Sequence, residues 1–139
     1  MTTNLVETVQ QAQRRGAAAR PRVNGFPYYA EALRVAGITA VETSVATGGS
    51  IYHLADGAVA QTSDPIAGSV SAVPDWDEAA LIAAIRADQA GQTTFADFLA
   101  DSWKAGVIRF RVDLTDHTCT YFGAAGHRYV EAFPTVALD

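Results

Sequence analysis

Apolar and polar positions alternate strictly in VIRFRVDL, residues 107–114, the pattern of a strand with one buried face. The segment just before it keeps a different period. Phe95, Phe98, Leu99 and Ser102 fall at i, i+3, i+4 and i+7, one face of a helix. Thr94 is placed to cap that helix, Asp97 lies in its first turn and Gly106 stands just past its end. Upstream, PDWDEAALIAAIRADQAG predicts another helix, with Asp75 as cap, Glu78 three residues on and Gly91 as the stop. The first half of the chain follows the same order. Leu5, Val6 and Val9 mark an amphipathic segment, and FPYYAEALRVAG sets Phe26, Tyr29, Ala30 and Leu33 on one helical face. Pro27 falls in that helix's first turn, where a missing N–H does no harm.

Residues 26–57 superpose on residues 95–126 without a gap, at a constant offset of 69. Phe26 meets Phe95, Ala36-Gly37 meets Ala105-Gly106, Tyr52 meets Tyr121 and Gly57 meets Gly126. Matching glycines, aromatics and apolar phase at one offset imply a duplicated supersecondary unit. The expected architecture is α+β, with two α-α-β-β-β units at 1–64 and 75–134 in one domain. Their helices should pack on antiparallel sheets around a shared core, since units this small cannot bury both sheet faces alone. Pro65, Gly68 and Pro74 mark 65–74 as the linker.

The order helix, F-x-x-F-x-x-x-x-x-x-AG(I/V), alternating strand, Tyr121-Phe122-Gly123 and closing YVEAFP resembles the YdfO-like family, catalogued as domain of unknown function 1398. That family comprises bacterial and prophage-borne proteins. The resemblance spans most of the chain and is strongest over 78–134. It implies a duplicated α+β fold and brings no catalytic residues with it. The label "phage envelope protein" on some members implies a prophage or virion accessory role.

Composition narrows the classes. With 139 residues, 49% hydrophobic and 18% charged, the chain can bury a sizeable core. Its net charge of −5 and only ten Lys and Arg argue against a nucleic-acid partner. No apolar run approaches the ~20 residues of a membrane span, and the polar N-terminus lacks a signal-peptide core. One cysteine, Cys119, permits neither an internal disulfide nor a CxxC knuckle, so a cytoplasmic location is expected. There is no P-loop, G-x-G-x-x-G or G-x-S-x-G, hence no cofactor signature.

Strand pairing points to a candidate surface. Two-residue tips at Thr47-Gly48 and Asp116-His117 would set 113 opposite 120 and 111 opposite 122. A return loop over Gly123–Gly126 would set 120 opposite 129 and 122 opposite 127. Ile108, Phe110, Val112, Leu114, Cys119, Tyr121 and Val130 then form the core face. Arg111, Asp113, His127, Tyr129 and Glu131 gather on the other face, with Arg109, Thr118, Thr120 and Phe122. Arg111 could grip a carboxylate or phosphate with two parallel hydrogen bonds, and His127 could carry a proton near neutrality. A solvated sheet face would show the same residue types. No metal site is indicated: His117 and His127 would sit ~17 Å apart on paired strands, and His53 has no ligand partner nearby.

The leading expectation is a non-catalytic binding or protein-interaction module without a cofactor. Its partner would be a protein, a small molecule or a second copy of the chain. The alternative is a small enzyme or anionic-ligand binder using the five polar residues above. A prophage or virion component is the third.

Overall fold

The computed structural model describes residues 4–138; residues 1–3, at the head of the first expected unit, and residue 139 lie outside the described residues. In order the elements are α1 (Leu5–Ala19), α2 (Phe26–Val35), β1 (Ile38–Ser44), β2 (Ser50–Leu54), β3 (Gly57–Gln61), α3 (Glu78–Gln89), α4 (Phe95–Lys104), β4 (Val107–Asp113), β5 (Thr118–Gly123) and β6 (Arg128–Ala132). The fold is α+β. Elements α2 and α4, and likewise β1 and β4, coincide at the offset of 69. All six strands join one antiparallel sheet of order β3-β2-β1-β4-β5-β6, so the two halves fuse edge to edge.

Local chemistry sets the helix ends. The Thr94 hydroxyl accepts from the Asp97 N–H at 3.1 Å while the Asp97 carboxylate accepts from the Thr94 N–H at 3.0 Å, a capping box worth roughly 1 kcal/mol. Asp77, not Asp75, caps α3, accepting from the Ala80 N–H at 3.0 Å. The helix starts late because the Asp77 N–H is held by the Ala105 carbonyl at 2.9 Å, which keeps the preceding segment extended. Gly37 and Gly106 end α2 and α4 at φ of 97° and 87°, where a side chain is disfavoured.

The helices lie on one face of the sheet, α1 on β3, α2 on β1 and α4 on β4. Val41, Thr43, Phe110 and Val112 occupy the sheet centre beneath them, and Tyr52 and Tyr121 flank it, each 6% exposed. The central pairing has its own symmetry. Val41 faces Val112, Thr43 faces Phe110, and between them Glu42 faces Arg111, the residue at its own equivalent position. A pseudo-two-fold axis therefore passes between Glu42 and Arg111.

Two turns depart from expectation. Between β4 and β5 the tip holds four residues, so 113 pairs with 118 and 111 with 120. The Asp113 carboxylate makes this loop by accepting the N–H groups of Thr115 and Asp116 at 2.9 and 2.8 Å. That shift of two residues leaves every side chain on its expected face. Between β5 and β6 the shift is one: the Gly123 N–H reaches the His127 carbonyl at 2.9 Å, and Thr120 pairs with Val130, Tyr121 with Tyr129 and Phe122 with Arg128. One residue reverses the strand. Val130, expected in the core, is 50% exposed, while Tyr129 and Glu131 turn to the helix side. A bulge between Val107 and Arg109 also gives the buried position to Val107 and leaves Ile108 half-buried.

Candidate functional site

The sheet separates the five residues expected to share a surface. Arg111 stays on the open face, where its guanidinium donates to Glu42, whose carboxylate also lies 3.3 Å from His53 Nε2. Asp113 is engaged in its turn. His127 lies across the sheet, its ring stacked on Trp76 with centroids 5.3 Å apart and planes 5° apart. Tyr129 packs beside Tyr121 at 6.4 Å between centroids, and Glu131 pairs with Arg86 of α3. Arg111 and Asp113 thus share one face, and His127, Tyr129 and Glu131 the other. The common surface expected for all five does not form, because of the longer return turn.

Larger features lie under the helices. Two adjoining cavities, of about 300 and 390 Å³, sit between the helices and the sheet and share walls from Arg20, Phe26, Phe95, Phe110 and Val112. The first-unit cavity adds Tyr29, Thr43, Ser50, Tyr52 and Gln61. The second-unit cavity adds Asp88, Thr93, Phe98, Cys119, Tyr121, Glu131 and Phe133. The pseudo-two-fold relates them: Phe26 answers to Phe95, Tyr52 to Tyr121 and Ser50 to Cys119. Gln61 lies opposite Ser50 as Glu131 lies opposite Cys119, so these two also correspond in space. The connection between the helices of the first unit is tied to α3 of the second, the Asn24 N–H donating to the Gln89 carbonyl at 2.7 Å.

The polar ends of the two cavities differ. In the first, the Tyr52 hydroxyl and the Gln13 amide both donate to Gln61 Oε1, each at 3.1 Å. Burial, and then the neighbouring Tyr52 hydroxyl, push the Tyr29 phenol well above its usual range. In the second, burial pushes the Cys119 thiol up to about 12 and, with the Cys119, Glu131 and Asp88 side chains nearby, raises Tyr121 well above an ordinary phenol. Glu131 Oε1 pairs with Arg86, while Glu131 Oε2 and the Thr93 hydroxyl are buried with no hydrogen-bond partner among the described residues. Asp88 lies in the last turn of α3, where an acid opposes the helix dipole.

Burial raises the Asp88 carboxyl, opposed in part by Arg20. The folded state therefore holds this proton more tightly than the unfolded chain does. The resulting stability is complete below the ordinary carboxyl range and is lost as pH rises through the folded-state value. Asp88→Asn is expected to melt higher than the wild type at pH 7, and the gap should close as pH falls to about 3.5. Thermal melts of both proteins across that range check this; a gap that is constant or widens toward acid would refute it.

Fold and cavities define a duplicated α+β protein with a cleft at its internal two-fold. The chain belongs to the family described as "Protein of unknown function (DUF1398)", which matches residues 18–131. It is similar to the uncharacterised proteins Rv2012 of Mycobacterium tuberculosis and Mb2035 of Mycobacterium bovis. Each is 44% identical over 131 residues, covering 94% of this chain and 80% of theirs. No helix among the described residues is long and apolar enough to cross a membrane.

Proposed function

We propose that the protein is a non-catalytic small-molecule binding module whose ligand occupies the cleft under the helices. One observation carries the reading: two adjoining cavities of about 300 and 390 Å³ with aromatic walls and a few converging polar groups. Ligand pockets span roughly 300–1,000 Å³ and have this mixed lining. A covalent role is disfavoured because Cys119, the thiol in the wall, is 8% exposed and held protonated by burial. A cytoplasmic setting belongs to the proposal, supported by a composition with a single cysteine, which leaves the fold to hold without an internal disulfide.

The test is a titration of the 15N-labelled protein with small aromatic alcohols, amines and acids. Saturable shifts are expected at Phe26, Phe95, Phe110 and Val112, which line both cavities. Val112→Phe should fill the shared wall and abolish them while the fold, followed by circular dichroism, survives. Absence of saturable shifts in the wild type, or undiminished shifts in a folded Val112→Phe, would dismiss the cleft as a site.

A further inference from the structure

We infer that the cavity over the second unit is an organic-cation subsite, taking a primary or methylated ammonium group carried on an aromatic body. The inference rests on the cleft being a ligand site and names what one half of it selects. Both halves inherit the same frame, and they have diverged at the polar end. Where the first cavity has the neutral Gln61, its amide oxygen already engaged by Tyr52 and Gln13, the second has Glu131.

The Glu131 side chain is 19% exposed, and only Oε1 is paired, to Arg86. Its Oε2 is shut off from solvent and accepts no hydrogen bond among the described residues. A buried carboxylate oxygen without a donor is costly, and an N–H donor from a bound molecule, met once the side chain turns Oε2 toward the cavity, would remove that cost. Thr93, whose hydroxyl is likewise buried without a partner among the described residues, lines the same cavity and holds a second acceptor in reserve. Asp88 adds a second carboxylate, placed against the dipole of its own helix. An ammonium group, with up to three donors and a positive charge, matches this set.

The remaining walls suit the same occupant. Phe95, Phe98, Phe110, Tyr121 and Phe133 surround the cavity, and aromatic ring faces attract organic cations. Two of the protein's own cations border the site, and neither donates to Glu131 Oε2. Arg20, in the wall shared by both cavities, lies over the Tyr29 ring of the first, 5.8 Å from its centroid. Arg86, half exposed, divides one nitrogen between Gln89 and Glu131 Oε1.

Three probes of one shape and different charge decide the matter: phenethylamine, 2-phenylethanol and phenylacetate, titrated by NMR into the wild type, Glu131→Gln and Asp88→Asn. Phenethylamine should bind the wild type at least about tenfold tighter than 2-phenylethanol, the scale of a charge-assisted hydrogen bond, with phenylacetate weakest. Glu131→Gln should bring amine and alcohol to near parity while retaining alcohol binding, which also shows the variant is folded. Asp88→Asn should narrow the preference without abolishing it. Alcohol or acid binding as tight as the amine in the wild type, or an amine preference intact in both variants, would overturn the cation subsite and leave the cleft as a binding site. No saturable binding by any probe would overturn both.

Discussion

Replacing Tyr121 with alanine is expected to destabilise the protein by about 3–5 kcal/mol, the range for truncating a large buried aromatic. The ring is 6% exposed and lies at the junction of sheet and helices. Its centroid stands 5.5 Å from Phe110, 6.3 Å from Phe98 and 6.4 Å from Tyr129. Alanine would remove all three aromatic contacts, and the space left would merge with the existing cavity instead of collapsing. Tyr121→Phe keeps the ring and should cost far less. Urea denaturation of the three proteins at unchanged m-value gives the comparison. A loss under about 1 kcal/mol for the alanine variant, the level of a mild substitution, would show that the ring does not anchor the core.

A second large effect is expected where a helix hands over to a strand. Gly37 and Gly106 are repeat equivalents with nearly the same backbone, φ of 97° and 87°. A Cβ at Gly37 would meet nothing within 4 Å. A Cβ at Gly106 would lie 2.8 Å from the Pro74 and Asp75 carbonyl oxygens and from the Trp76 Cα. Gly37→Ala should therefore cost about 1–2 kcal/mol, the left-handed penalty alone. Gly106→Ala adds a backbone collision and should cost about 2–5 kcal/mol. Equal destabilisation of the two in the same denaturation assay would mean that residues 74–76 do not press on Gly106 in solution.

Elements governed by nearby residues were legible in the sequence, and elements governed by distant ones were not. Thr94 and Asp97 start α4, and Gly106 ends it, through contacts within three residues. Asp75, with Glu78 three residues on, is the cap the local pattern offers, and the Ala105 carbonyl far along the chain moves the start to Asp77. The candidate site failed to assemble over a single residue in a turn. In the first unit Leu54 pairs with Gly57 across a tight turn, whereas in the second Phe122 pairs with Arg128 across a longer one. Period-two geometry converts that residue into a complete change of face for Tyr129 and Glu131.

The cleft was not readable because it needs the order of strands from both halves, yet two signs of it were present. Asp88 sits at the acid-averse end of α3, a local rule broken with no local gain. Glu42 and Arg111 carry opposite charges at equivalent positions, as expected for a duplicated strand that pairs with its own copy.

That self-pairing also bears on how the halves depend on one another. Each half taken alone would leave β1 or β4 as a bare strand edge, with half of the shared cavity wall missing. The chain from 62 to 77 contributes no helix or strand; residues 74–77 pack on the second half, and the stretch before them is the tether. In assembly terms the molecule is laid out as a dimer of two unlike protomers joined by one covalent connection. Severed within that tether, the two pieces would still present to each other the β1 and β4 edges that pair in the intact sheet.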